Sequence, residues 1–95
     1  MIYTLTVAHR ANIHLIKAVN WCIDQEKKGL EVKFIKAVDS AITYIQKNPL
    51  KSQVRYKDVR IRFLRTPKFG VHYVIQDKHI YVIGIFHTNH DSENW

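Results

Sequence analysis

The chain has few of the residues that cross-link small proteins or form their turns: one cysteine, two prolines and three glycines among 95 residues. A single thiol, Cys22, excludes a disulfide framework and fits a reducing compartment. Three scattered glycines are too few for a glycine-rich phosphate loop. Because Cys22 falls among the apolar positions of a helical pattern, we predict that it is a core thiol.

Long apolar runs and targeting signals are also missing. No run approaches the roughly 20 residues of a membrane span, and the first residues lack the basic start and cleavage site of a signal peptide. The 46% apolar content argues against disorder. We therefore expect one folded cytoplasmic domain over residues 1–95, away from membranes. Nucleophile motifs are absent too, and we expect neither a cofactor nor a small-molecule substrate.

Acidic residues are few, with 8 Asp and Glu against 15 Lys and Arg and a net charge of +7. Between residues 51 and 70 the sequence has seven basic side chains and one acid, Asp58, a local balance of +6. A concentrated basic segment indicates an acidic partner, either nucleic acid or an acidic protein segment. Alternatively, the arginines form a solvated strand face that discourages edge-to-edge aggregation.

The first half of the sequence predicts a strand followed by two helices. Residues 1–7 alternate apolar side chains with threonine, as in a short strand. Apolar residues then recur at helical spacing over 9–28, and Gly29 is expected to end this helix. A second helix is predicted over 30–47, before Asn48 and Pro49. So short a break between two amphipathic helices predicts an antiparallel hairpin.

The period changes to two in the second half, which predicts three strands near residues 59–64, 69–75 and 80–87, with a turn at 76–79. The predicted order is β-α-α-β-β-β. We therefore expect an α+β fold, in which a small antiparallel sheet carries the helix hairpin on one face.

The basic residues provide the candidate binding site. Arg60 and Arg62 share one face of a strand, about 7 Å apart, and Arg65 follows near the strand end. Such a row fits backbone phosphates of RNA, or an acidic segment of a protein. Trp21 is expected beside the core. The residues predicted to bind a partner or nucleic acid are Arg55, Lys57, Arg60, Arg62, Arg65, Lys68 and Trp95.

The six histidines are the candidates for proton transfer. His87 and His90 follow the last strand, and with Asp91 they are conceivable metal ligands, although the spacing is loose and a polar surface tail is the plainer alternative. We expect these three side chains at the mouth of a shallow groove between the basic strand and the helix hairpin, too dispersed to hold an ion. His9 and His14 are expected to face solvent.

The motifs together resemble the RelE/ParE superfamily of toxins from type II toxin–antitoxin, or plasmid stabilisation, modules. The similarity lies in the opening strand and helix start at 3–13, the helix end and proline at 41–49, the arginine, turn and aromatic strand at 62–73, and the closing strand, His, Asp and Trp at 83–95. This resemblance implies a toxin that arrests growth until a cognate antitoxin binds it.

The resemblance leaves the cellular target open. RelE-like members cleave messenger RNA on the ribosome, and Arg65 and Arg62 match basic positions of that group. In such a nuclease the catalytic residues would be His87, His90, Arg62 and Arg65. However, Thr88 stands near an expected basic position, and His90 replaces the common arginine before Asp91. We therefore favour a ParE-like poison of DNA gyrase, with a messenger RNA endonuclease and a degenerate, non-toxic binding module as the alternatives.

Overall fold

Two helices and five strands follow one another in the computed structural model, which describes residues 2–65 and 67–88. The elements are β1 (Thr4–Val7), α1 (His9–Asp24), α2 (Leu30–Lys47), β2 (Val54–Tyr56), β3 (Val59–Phe63), β4 (Phe69–Gln76) and β5 (His79–His87). The α+β class and the helix hairpin on the sheet are confirmed. No helix in the described part of the chain is long and apolar enough to cross a membrane.

The first helix ends four residues earlier than predicted. The backbone N–H groups of Gln25 and Glu26 donate to the carbonyls of Cys22 and Ile23, three residues back, and Glu26 adopts a left-handed φ of 56°. These tight bonds close the last turn. Gly29 was wrongly expected to end α1. It is instead the N-cap of α2, with a φ of 79° that favours glycine.

Both helices pack their apolar faces on the same side of the sheet. Helix α2 buries Phe34, Val38, Ala41 and Ile45, four side chains at helical spacing. Helix α1 buries the small residues Ala11, Ala18 and Cys22, with Trp21 partly buried beside them. The buried positions of Cys22 and Trp21 agree with the predictions. Burial raises the pKa of the Cys22 thiol, which is further raised by Glu31, so the thiol stays protonated and unreactive.

The sheet has the order β1-β5-β4-β3-β2 and is mixed. Strands β2 to β5 are antiparallel, whereas β1 runs parallel to β5, with Thr4 opposite His79 and Val7 opposite Val82. The predicted fully antiparallel sheet of four strands is therefore wrong at its two edges.

The missed strand β2 explains both errors. Six elements follow β1 along the chain. If each one reverses the direction of its predecessor, the sixth, β5, runs parallel to β1. Without β2 the same count leaves five reversals and predicts an antiparallel pair. Strand β2 has only three residues, and its alternation is too short to detect from sequence.

Strand β5 has two successive neighbours along one edge. Strand β1 pairs with it only as far as Val82, whose carbonyl accepts from the N–H of Ala8 at 2.9 Å. The chain then turns into α1, and His14 Nδ1 accepts the N–H of Ile85 at 3.3 Å. Helix α1 thus occupies the edge that β1 leaves. The expectation that His14 faces solvent is wrong, because its acceptor nitrogen covers this backbone donor.

The sheet face opposite the helices carries a chain of rings centred on His72. His72 is buried and pairs across the strands with Ile61 and Gly84, and a 2.8 Å hydrogen bond joins its Nδ1 to the Tyr56 hydroxyl. Its ring also lies 4.8 Å from Phe86, which contacts His14 at 4.6 Å. Sequence reasoning found no partner for His72 or His79. His79 in fact lies between the hydroxyls of Thr4 and Thr6.

The core also joins the sheet to the loop after α2. Tyr73 is fully buried, and its hydroxyl donates to the Pro49 carbonyl at 2.7 Å. Burial raises the pKa of Tyr73, which keeps the hydroxyl protonated as a donor. This bond fixes the residues that lead from α2 into β2.

Changing Tyr73 to Phe should lower the free energy of unfolding by about 1–3 kcal/mol, because the buried Pro49 carbonyl loses its donor. Chemical denaturation measures the change. Tyr81→Phe is the matched control, since Tyr81 is exposed, and it should stay within about 0.5 kcal/mol of the wild type. Equal effects of the two variants would contradict the assigned role of the Tyr73–Pro49 bond.

The burial of His72 predicts acid sensitivity. Desolvation, followed by the nearby charge of His14, lowers the pKa of His72 to about 4 from an ordinary 6.5. Between these values the unfolded chain binds a proton that the folded chain does not. The free energy of unfolding should therefore fall as the pH drops from 7 to 5, by about 2 kcal/mol.

His72→Asn should flatten this pH dependence, although it also lowers stability. His9→Asn is the control because His9 is exposed at the start of α1. Denaturation curves at several pH values between 7 and 5 provide the measurement. A His72→Asn slope equal to that of the wild type would show that another group controls the loss of stability in acid.

Candidate functional site

The predicted row of arginines on β3 lies on the sheet face that the helices cover, since Arg60 pairs with Tyr73 and Arg62 with Val71. Arg60 Nη1 donates to the Ser52 carbonyl at 2.6 Å and to the Leu50 carbonyl at 3.4 Å. These hydrogen bonds from the Arg60 guanidinium fix the loop that follows α2.

The side chain of Arg62 contacts α2. Its guanidinium carbon lies 3.9 Å from the centre of the Tyr44 ring. A cation–π contact of this kind contributes about 0.5–2 kcal/mol. Both β3 arginines therefore stabilise the packing of the second helix and its loop, whatever they bind in addition.

Arg62 also lines a shallow groove beside β2, together with Arg55 and Lys51. The remaining walls of this groove are Ser52, Gln53, Ile61 and Phe63, and it measures about 270 Å³. The Arg55 guanidinium lies 5.4 Å from the Phe63 ring. Lys57 is exposed in the tight turn between β2 and β3, where it adopts a left-handed φ of 47°.

Arg65 and Lys68 form a different site, which we call the basic groove. Both are exposed in the loop between β3 and β4. Lys27 faces them from the turn between the helices. The groove measures about 240 Å³, and its lining consists of Trp21, Gln25, Lys27, Leu30, Arg65, Pro67, Lys68 and His87. Arg62 and Arg65, adjacent in the sequence-based proposal, therefore line separate grooves.

His87 closes one end of the basic groove. It is the last residue of β5 and lies opposite Phe69 in the register. Its ring packs edge-on against Trp21 at 4.8 Å and against Phe69 at 4.9 Å. Strand pairing thus brings His87 to the sheet, and α1 brings Trp21 to meet it.

A second groove lies on the other side of this ring pair, and we call it the apolar groove. It measures about 320 Å³ and is lined by His14, Lys17, Ala18, Trp21, Phe69, Ile85, Phe86 and His87. Trp21 and His87 belong to both grooves. Sequence reasoning placed Trp21 beside the core but missed its role as a shared wall, which depends on the pairing of distant elements.

His90, Asp91 and Trp95 lie outside the described residues, so their predicted place at a groove mouth stays a prediction. His87 does lie on the wall of a groove, between the helix hairpin and the β3–β4 loop. Within residues 2–65 and 67–88 no group of three or more His, Cys, Asp or Glu side chains could hold a metal ion.

Known structures share this architecture. A toxin–antitoxin system structure from P. aeruginosa, chromosomal ParDE, aligns with a TM-score of 0.77 at 15% identity over 90% of this chain and 96% of that chain. The free E. coli toxin RelE, as a double mutant, gives 0.66 at 15% identity over 97% of this chain and 90% of that chain. The RelBE2 toxin–antitoxin complex from Mycobacterium tuberculosis gives 0.59 at 16% identity, with coverage of 92% and 99%.

Neither a protein-family model nor a curated relative matches the sequence. The likeness is therefore one of three-dimensional structure, and it extends over nearly the full length of each neighbour. It confirms the fold that the sequence motifs implied. The chain therefore shares the fold of the ParDE, RelE and RelBE2 structures.

Proposed function

We propose that this protein is the toxin of a type II toxin–antitoxin module, which arrests growth in the cytoplasm until a cognate antitoxin binds it. The main support is the match in fold to the ParDE, RelE and RelBE2 structures over 90% or more of this chain. The net charge of +7 adds a basic surface suited to an acidic antitoxin.

We propose DNA gyrase as the cellular target. The ParDE structure aligns with a higher TM-score, 0.77, than the RelE structure, 0.66. The separation of Arg62 from Arg65 also argues against an RNA-cleaving centre. Cleavage of a phosphodiester needs positive charges that converge on one phosphate in the transition state. Here the two arginines line different grooves, and Arg62 is stacked on Tyr44.

One feature favours the alternative, a ribosome-dependent messenger RNA endonuclease. The basic groove brings Arg65, Lys68 and His87 together, which combines two cations with a side chain able to transfer a proton. In this alternative, phosphate charge would be stabilised by Arg65 and Lys68.

Induction of the protein alone in a bacterial host should stop growth, and co-expression of the neighbouring antitoxin should restore it. Viable counts and optical density measure both effects, with soluble protein verified by immunoblot. The Lys33→Ala variant is a suitable control, because Lys33 is exposed on α2 and lines neither groove, and it should arrest growth like the wild type. Normal growth with abundant soluble protein would exclude a toxin and favour a degenerate binding module.

The gyrase proposal predicts filamentous cells, a DNA-damage response and cleaved plasmid when the purified protein is mixed with gyrase and supercoiled DNA. Arg62→Ala should destabilise the α2 contact without abolishing such cleavage. If the protein instead cuts messages at codon-spaced positions on ribosomes, gyrase is the wrong target. In that case Arg65→Ala should reduce cutting by roughly 10²-fold or more.

A further inference from the structure

The apolar groove and the basic groove form one continuous surface of alternating chemistry. Trp21 and His87 stand between them, with ring centres 4.8 Å apart. On one side the walls are Ala18, Ile85 and Phe86. On the other side the walls carry charged side chains. A ligand that spans both grooves must therefore carry an apolar group and a polar group a short distance apart.

The charges on the polar side have one sign. Lys27, Arg65 and Lys68 line the basic groove, and Lys17 stands at the rim of the apolar groove. Among the described residues, no carboxylate lines either groove. Like charges held together in this way repel one another, and a bound anion would relieve that repulsion.

From these observations we propose that the two grooves together bind a polypeptide segment of the antitoxin, which places an apolar side chain in the apolar groove and a neighbouring carboxylate in the basic groove. This inference rests on the proposed toxin function and specifies where, and by which chemistry, the antitoxin is recognised.

A polypeptide fits this alternation better than a polynucleotide. Every unit of a nucleic acid carries a phosphate, so a strand that filled the basic groove would bring further charge to the apolar groove. A protein segment can carry an apolar residue and an acid side by side. Apolar anchors in desolvated pockets supply most of the binding energy at protein interfaces, and complementary charge fixes the orientation.

The shared wall makes the two halves of the site interdependent. Trp21 packs edge-on against Phe69 at 5.7 Å as well as against His87. Loss of the indole would merge the grooves and remove the wall on which an apolar side chain rests. Trp21 is therefore expected to contribute to binding even though it carries no charge.

The test compares charge reversals inside and outside the site. In purified protein, the double variant Lys27→Glu with Lys68→Glu should weaken binding of the antitoxin by roughly 10²-fold. The matched control, Lys33→Glu with Lys36→Glu, makes the same change in net charge at exposed positions of α2 that line neither groove, and should leave the affinity within about threefold. Trp21→Ala should weaken binding as well, whereas Trp21→Phe should retain most of it.

A second probe does not depend on the antitoxin. A fluorescein-labelled amphipathic peptide with paired Leu and Glu residues should bind the wild type, and the same peptide with Gln in place of Glu should bind about tenfold less. The Lys27→Glu, Lys68→Glu variant should lose the preference for Glu. Fluorescence anisotropy measures the binding of the Glu and Gln peptides, and oligothymidylate serves as the nucleic-acid competitor.

Three results would overturn the inference: equal loss of affinity in both charge-reversal variants, equal binding of the Glu and Gln peptides, or a groove-dependent preference for oligothymidylate over the peptide. If the protein does not arrest growth, the toxin function is disproved, whereas the binding of the peptide to the grooves stands as a separate result. Circular dichroism of every variant separates misfolding from loss of binding.

Discussion

The edge of β5 that β1 leaves unpaired determines the course of α1 and, through it, the position of the candidate site. Strand β1 is four residues long and stops at Val82, yet β5 continues to His87. Backbone donors beyond that point need another partner, because an unpaired buried N–H is costly. The chain meets this need by turning into α1 at once, so that His14 accepts the Ile85 N–H. The same turn fixes the course of α1, which brings Trp21 to His87.

The helix-covered face and the opposite face use their polar residues differently. On the helix side, Arg60, Arg62 and Tyr73 bind the loop after α2, the ring of Tyr44 and the Pro49 carbonyl. These contacts hold the hairpin on the sheet. The charge left for a partner therefore lies in two regions: the β3–β4 loop with the turn between the helices, and the surroundings of β2, where Lys51, Arg55 and Lys57 are exposed. A sum of charges over residues 51–70 overstates what a partner can reach.

Local patterns in the sequence predicted the parts of the fold that depend on local interactions. The period of α2, the turn at 76–79 and the burial of Cys22 were all predictable, because each follows from neighbouring residues. The parallel pairing of β1 with β5 was not, since residues 75 positions apart meet there and a three-residue strand decides the direction. A groove near His87 was predicted, but its lining was not, for the same reason: Trp21, Arg65 and His87 come together only when α1 packs beside β5 and the β3–β4 loop.

The central proposal is that this protein is a toxin and that it binds its antitoxin across the two grooves at Trp21 and His87. Hydrogen–deuterium exchange of the protein, free and in complex with the antitoxin, tests this claim most directly. We expect the strongest added protection in three segments that contribute lining residues to the grooves: 14–28, 85–88, and residues 65 and 67–69 of the β3–β4 connection. Protection confined to β2 and the outer surface of α2, with these segments unchanged, would contradict the account.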